Sequence, residues 1–356
     1  MQMHRRVPAK SIRQVPGVAA PMPQQLRPML AKLSELPEHD ADFAYELKWD
    51  GIRALAYIRN QTVHLESRNL LNITFRYPEL HALGNSLSAQ TAVLDGEIVA
   101  LTENGIPSFE KLQERMGLMD GTSIRMRRSS APVVYMIFDL LYLNGRSLLK
   151  ETYKERRKLL EDLNLNTEFW KTPPSRTGDC ACMLDFAREH RIEGVVAKRL
   201  DSQYEPGLRS GAWRKIKYAD NQEFVIAGWS PGEGGRTGRI GALLLGYYDY
   251  TEAQSKKRGV QQQLQYAGKV GTGFSEATLD DLAALFAPLR QDTSPFSARH
   301  PDHRHAIFVE PQYVAECSFY EWTRDGRLRH PVFKGLRPDK PALEVVRETV
   351  STEKRR

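Results

Sequence analysis

Nine consecutive residues, Val133-Val134-Tyr135-Met136-Ile137-Phe138-Asp139-Leu140-Leu141, hold a single charged side chain among eight apolar ones. A strand with one wet face would alternate, so this run reads as a strand covered on both faces, inside a domain of several layers. Shorter strand-like runs precede it. Thr62-Val63-His64-Leu65-Glu66-Ser67 follows Leu55-Ala56-Tyr57-Ile58 across an Asn60-Gln61 turn and predicts a hairpin. Residues 92–100 place two apolar runs about Asp95-Gly96, which predicts a second turn with Glu97 at the head of the following strand. Helical spacing marks residues 109–116, 153–163 and 183–191.

Two more strands follow, residues 193–198 and 213–217. The second alternates strictly and sets Trp213, Lys215 and Lys217 on one face. Past Asp220-Asn221-Gln222 the texture changes to strands between glycine clusters, at residues 224–229, 242–248, 264–270 and 309–319. A helix over 276–289, with Ser275 as its N-cap, interrupts them as in a five-stranded OB-type barrel. The expected organisation is a flexible basic arm over 1–25, with Arg5, Arg6, Lys10 and Arg13, a larger domain over 26–220, a barrel over 221–345 and a charged tail over 346–356.

Lys and Arg exceed Asp and Glu by 51 to 44, and this net charge of +7 favours polyanionic partners. Three cysteines, Cys180, Cys182 and Cys317, fit neither a disulfide framework nor a zinc site and point to free thiols in a reducing compartment. No secretory signal or membrane span is evident, so a soluble cytosolic protein is expected. His300-Pro301-Asp302-His303-Arg304-His305 reads as a surface loop rather than a metal site. The glycine-rich stretch 232–241 lacks the lysine of a P-loop and reads as a mobile loop that brings Arg236 and Arg239 near phosphate.

The chemistry centres on Tyr45-Glu46-Leu47-Lys48-Trp49-Asp50-Gly51-Ile52-Arg53. Alternation places Lys48 and Asp50 on one face and Leu47 and Trp49 on the other, while Gly51 permits a turn that brings Arg53 to the same site. A lysine of pKa about 10.4 attacks nothing until cations or desolvation lower that value. By composition, Lys-x-Asp-Gly arises by chance in about one chain in ten of this length. Downstream stand, in order, Ser67-Arg68-Asn69, Asp95-Gly96-Glu97, Phe138-Asp139, Glu193-Gly194-Val195-Val196-Ala197-Lys198, Lys215-Ile216-Lys217 and Arg337-Pro338-Asp339-Lys340.

This ordered set resembles motifs I to VI of the covalent nucleotidyltransferases, the superfamily of ATP-dependent DNA ligases, RNA ligases and mRNA capping enzymes. The resemblance implies an α+β nucleotidyltransferase domain of antiparallel sheets followed by an OB barrel. It implies that Lys48 attacks the α-phosphate of ATP, with Asp50 and Arg53 beside it. Glu46, Arg68, Glu97, Phe138, Lys215, Lys217, Arg337 and Lys340 would bind nucleotide. Among these, Phe138 stacks on adenine, Arg68 reaches the ribose or the 5′-phosphate of a nick, and Lys215 and Lys217 offset charge at the α-phosphate. Glu97 and Glu193 suit Mg²⁺, with Mn²⁺ an alternative, although Glu97 suits the ribose as well. Arg337 and Lys340 would assist departing pyrophosphate, the small domain closing over ATP and swinging away at residues 220–222.

Glu223-Phe224-Val225-Ile226-Ala227-Gly228-Trp229 and Ala267-Gly268-Lys269-Val270-Gly271-Thr272-Gly273-Phe274 are further similar to the ligase domain of the bacterial end-joining ligase. That likeness implies an ATP-dependent DNA ligase that seals nicks through lysyl-AMP and DNA-adenylate, in DNA repair or end joining. Its partners would be nicked or broken duplex DNA, with Ku and separate end-processing enzymes. A monomer associated with the bacterial nucleoid is expected. The alternatives are an RNA ligase, a GTP-dependent capping-type enzyme, and a catalytically silent protein that binds DNA ends.

Overall fold

The computed structural model describes residues 15–348 except 88, 90, 103–104, 191, 218–219, 233 and 235–236. They form two compact units, joined between Ile216 and Lys217. The basic residues Arg5, Arg6, Lys10, Arg13 and Arg236, and the end of the tail, lie outside the described residues.

In the first unit the strands are β1 (Val18–Ala19), β2 (Lys32–Leu33), β3 (Phe43–Leu47), β4 (Ile52–Arg59), β5 (Thr62–Ser67) and β6 (Thr91–Ala100). They continue with β7 (Val133–Leu143), β8 (Arg146–Ser147), β9 (Trp170–Lys171), β10 (Arg176–Thr177), β11 (Gly194–Arg199) and β12 (Trp213–Lys217). Helices α1 (Leu83–Ser86), α2 (Phe109–Met116), α3 (Gly121–Ser130), α4 (Tyr153–Asp162) and α5 (Cys180–Glu189) lie between them. One sheet runs β1-β8-β7-β6-β4-β5 with β9 beside β7, and the other runs β10-β3-β11-β12-β2. Antiparallel pairs dominate, while β12 with β2 and β7 with β9 are parallel.

Strand β7 is buried at every position, as its composition requires. Tyr135, Ile137 and Leu140 face a core shared with Leu83 of α1, Leu112 of α2 and Leu160 of α4. Its other face packs Phe138 and Leu141 with Trp213 of the second sheet. The second sheet is backed in turn by Cys180, Met183 and Ala187 of α5. The unit is therefore layered as helices, sheet, sheet and helix.

The β4-β5 hairpin turns at Asn60 and Gln61, both in the left-handed region at φ 46° and 69°, as a two-residue turn requires. Asp95-Gly96 is no turn: β6 runs unbroken from Thr91 to Ala100. Gly96 serves close approach instead, since a Cβ there would lie 2.5 Å from the Tyr135 ring and 2.6 Å from the Met136 carbonyl oxygen. Glu97 thus stands within a strand rather than at its head. The arm expected to reach residue 25 is packed from Val15 on, because β1 pairs with β8 and Met22 joins the core between the sheets.

The second unit contains β13 (Asp220–Pro231), β14 (Ile240–Tyr248), β15 (Leu264–Val270), β16 (Arg290–Gln291), β17 (Ile307–Val309), β18 (Val314–Phe319), β19 (Glu321–Trp322), β20 (Leu328–Arg329) and β21 (Val332–Leu336). Helices α6 (Glu252–Arg258) and α7 (Glu276–Phe286) complete it. Strand β13 pairs with β14 along one edge and with β18 and β17 along the other, and β18 carries β21. This is the OB-type barrel, with α7 between strands and the Ser275 hydroxyl accepting from Thr278 N–H at 3.1 Å. Asn221 and Gln222, expected in a hinge, are already in β13, paired with Ser318 and Cys317. Val346 bridges Tyr248, so the unit extends past residue 345.

All three cysteines are free. No helix among the described residues is long and apolar enough to cross a membrane. His300, expected on the surface, is 7% exposed, stacked on Tyr266 at 4.1 Å and enclosed by Phe296, Phe308 and His303, with Asp302 and Arg327 as nearby charges. Neither ring nitrogen has a hydrogen-bond partner among the described residues, and burial pushes its pKa below the ordinary 6.5. A base with a lowered folded pKa binds its proton more readily when unfolded, so its contribution to stability is full above pH 6.5 and declines as pH falls through that value towards the folded one. Thermal unfolding at about pH 8 and about pH 5.5 should therefore show a smaller acid-induced drop in Tm for His300→Phe than for wild type. Equal drops would place the acid sensitivity elsewhere.

Candidate active site

Alternation along the inner strands decides what the two sheets of the first unit present to one another. From the larger sheet come Arg53, Leu55 and Tyr57 of β4, Asp95, Glu97 and Val99 of β6, and Phe138 of β7. From the smaller come Glu46 of β3, Val196 and Lys198 of β11, and Trp213 of β12. Buried charge in the middle of an apolar layer is costly unless paired. Each of these charges with a described contact is paired.

Glu46 accepts hydrogen bonds from the Tyr153 hydroxyl, at close range, from Lys198 Nζ at 2.8 Å and from an Arg157 nitrogen at 3.3 Å. Lys198, 1% exposed, also donates to the Phe138 carbonyl oxygen at 3.1 Å, with its ammonium 4.4 Å from the Phe138 ring centre and 4.3 Å from that of Trp213. Burial holds its pKa below the ordinary lysine value against the opposing pull of Glu46. Arg53 grips Asp95 with two hydrogen bonds of 2.5 and 2.6 Å, and its guanidinium lies 4.6 Å from the centre of the Phe138 ring. Burial alone would lower the Arg53 pKa, but Asp95 outweighs it and the net shift is upward. The Tyr204 hydroxyl completes this group by donating to Asp95 at 2.7 Å.

Lys48 follows the last residue of β3, its N–H donating to the Gly194 carbonyl at 2.9 Å, and its ammonium forms a close ion pair with Glu193. Carboxylate oxygens of Asp50 and Glu193 come within 4.8 Å of each other. Such a pair of hard oxygen donors fits Mg²⁺, which keeps most of its waters and takes one or two carboxylates.

The structure thus places Glu46, Arg53, Glu97 and Phe138 between the two sheets and Lys48, Asp50 and Glu193 at the end of β3. Arg68 stands in the turn after β5, and Lys215 lies on β12 opposite Leu33 of β2. Lys217, the last residue of β12, falls with Arg337 and Lys340 in the second unit. There the Lys217 ammonium meets the Asn221 carbonyl and lies 3.7 Å from Glu348. Arg337 bonds Asp339 twice at 3.0 Å and Glu316 at 2.7 Å, and Lys340 lies 2.9 Å from Glu223.

Sequence reasoning gave no role to Asp95, Tyr153, Arg156, Arg157, Lys198 or Tyr204. For Lys198 a signal existed, because alternation from Val196 puts it on the inner face. The same alternation from Glu97 puts Asp95 on the inner face of β6, and the rest are joined to the site only by long-range packing.

Residues 28–217 match the family model described as the ATP dependent DNA ligase domain, and residues 236–340 match the ATP dependent DNA ligase C terminal region. The chain is 43% identical over 326 residues to the multifunctional non-homologous end joining protein LigD of Mycobacterium bovis, which covers 91% of this chain and 40% of that protein. To LigD of Pseudomonas aeruginosa it is 38% identical over 336 residues, 93% of this chain and 38% of that protein. The chain thus spans about two fifths of the length of these curated relatives. Among solved structures, mycobacterial DNA ligase D complexed with ATP and MES matches with a TM-score of 0.65 at 41% identity, over 91% of this chain and 98% of that one.

Proposed function

The chain belongs to the ATP-dependent DNA ligases, and from that footing we propose that it seals 5′-phosphate/3′-hydroxyl nicks by two transfers of an adenylyl group and a final displacement of AMP. In the first, the Lys48 amine, having lost its proton, bonds to the α-phosphorus of ATP as the bond to pyrophosphate breaks. In the second, an oxygen of the nick 5′-phosphate takes AMP and the amine leaves. In the displacement, the 3′-hydroxyl attacks that phosphate, loses its proton and releases AMP.

The observation that supports this reading best is the convergence of Lys48, Glu193 and Asp50 beside the polar layer holding Glu46, Arg53, Glu97 and Phe138. An ammonium paired with Glu193 is not a nucleophile, so that ion pair must open before attack. Bound Mg²⁺ or Mn²⁺ would offset charge on the phosphates, with Glu193 and Asp50 as its protein ligands and Glu97 at the ribose or the ion. Phe138 stacks on the base, Arg53 and Glu97 meet the ribose, and Arg68 the 5′-phosphate. Lys215 and Lys217 face the α-phosphate, and Arg337 and Lys340 the pyrophosphate, which requires the last three to exchange carboxylate partners for phosphate.

The end-joining role that the LigD relatives are named for, and the ligase portion they share with this chain, support end joining as the setting, with broken duplex DNA as substrate and a Ku-type recruiter. The working place would then be the cytoplasm, at the nucleoid. Nick sealing with ATP, GTP and NAD in parallel tests the activity, and sealing with GTP or NAD alone would reject the ATP assignment. Adding purified Ku to a blunt-end joining assay tests the recruiter.

Salt separates DNA binding from chemistry. Between about 50 and 200 mM salt, affinity for a nicked duplex should fall on the order of 10³-fold if about six phosphates are neutralised, while self-adenylation changes far less. Filter binding and label uptake on one salt series measure both. Parallel slopes would mean that the basic excess does not serve DNA.

A further inference from the structure

Helices α2 and α3 connect β6 to β7, and α3 is hardly packed. Of its ten residues Ile124 alone is buried and Ser123 half-buried, and the rest stand in solvent. Helices in proteins owe most of their stability to a buried face, so α3 depends heavily on its cap. The Asp120 carboxylate accepts from the Thr122 and Ser123 N–H groups at 3.1 and 2.8 Å. What α3 turns to solvent is cationic, with Arg125, Arg127 and Arg128 and no acid in the helix. Arg127 is paired with Glu114 of α2 at 2.8 Å. Among the described residues Arg125 and Arg128 have no carboxylate partner. Arg125 donates to Thr122 Oγ1 at 3.3 Å, and the Arg128 guanidinium lies 5.8 Å from the centre of the Phe169 ring.

Cations in the last turn of a helix offset its dipole, which accounts for Arg127 and Arg128 without any ligand. It does not account for Arg125, in the middle. Spacings of three and four set Thr122, Arg125, Arg128 and Ser129 on one stripe, where two like charges are neighbours with no acid between them. That repulsion costs the folded chain, and a polyanion laid along the stripe removes it. The stripe is also close in the fold to the nucleophile. The chain leaves β6 for α2 at Ala100 and rejoins the sheet from α3 at Val133, the residue paired with Ala100. One step inward, Val99 and Val134 pack with Trp49, the neighbour of Lys48. We propose that α3 is a duplex contact, in which Arg125 and Arg128, with the Thr122 and Ser129 hydroxyls, bind backbone phosphates of DNA beside the nick. This rests on the nick-sealing reading above. Arginine forks and hydroxyls hold phosphate without reading bases, so the contact is indifferent to sequence.

The test compares the full chain with its Arg125→Gln/Arg128→Gln double variant in filter binding to a nicked duplex over a salt series. Two lost phosphate contacts should make the slope of log affinity against log salt shallower by about two, and weaken binding at about 50 mM salt by roughly tenfold. In sealing, KM for the nick should rise with the maximal rate nearly kept. Arg125→Lys/Arg128→Lys, which keeps both charges, should retain the wild-type slope. Self-adenylation of the same preparations, which involves no DNA, reports folding. If the double variant fails there, the single variants carry the measurement, each expected to lose about one from the slope. A glutamine variant with the wild-type slope would overturn the proposal and leave α3 as a solvated face or a protein-docking one. So would a lysine variant that loses as much slope as the glutamine one, since charge would then not be the cause. If wild type itself neither binds nor seals a nick, the reading of the function fails; if it does both and the variants match it, only the α3 contact fails.

Discussion

Incubated with α-labelled ATP, Lys48→Ala and Lys48→Arg proteins are expected to carry no label through a denaturing gel. The alanine variant has no nitrogen to attack with. The arginine variant keeps the charge opposite Glu193, and with it the ion pair seen here, but a guanidinium stays protonated and does not act as the nucleophile. Loss of a sole nucleophile is worth on the order of 10⁶-fold in rate, which exceeds any effect expected from the surrounding charges. Lys48→Arg keeps a cation for Glu193, and circular dichroism on that variant separates a folding defect from loss of the nucleophile. Label on either variant would mean that another residue forms the adduct.

The second large effect belongs to the last motif. Arg337→Ala and Lys340→Ala should each slow self-adenylation by about 10²–10³-fold, the loss expected for one preorganised donor to a leaving group. Sealing of a nick that already carries AMP should persist, since no pyrophosphate departs in that step. Lys340→Ala takes a cation from Glu223, whereas Arg337→Ala takes one from both Asp339 and Glu316. Arg337→Lys, which keeps a cation near those acids, guards against misreading a loss of stability. If Lys340→Ala seals the adenylated nick as poorly as it uses ATP, the motif acts in phosphodiester formation and the assignment fails.

How much of this was legible beforehand follows from the range of the interactions. Strand β7 announced its burial because its composition is a local property, and the Asn60-Gln61 hairpin and the Ser275 cap were readable for the same reason. The motif residues appeared because their order along the chain is itself information. Asp95-Gly96 misled because that pair is a strong turn signal locally, and only the Tyr135 ring, 39 residues on, explains why glycine is needed inside a strand. His300 misled because three histidines among polar neighbours look solvated, and only the fold shows Tyr266 and Phe296 closing over His300. Arg156 and Arg157 lie in a charged helical stretch whose bland reading is a wet face. Nothing local distinguishes them from Arg188 on α5, which is left in solvent.

Those twin arginines bear on any attempt to harden this protein. Charge withdrawn from water is a poor fastener, and apolar residues of similar volume in its place often gain about 1–4 kcal/mol. A chain shaped for durability alone would fill the space around Glu46, Arg157 and Lys198 with leucine and methionine. On the function proposed above, keeping acid and base there holds the interior ready for a polar guest, at the expense of the firmest packing. Thermostabilising redesign therefore meets its most tempting substitutions in the one layer it must leave untouched, and the gains that are safe to take lie on the backs of the two sheets.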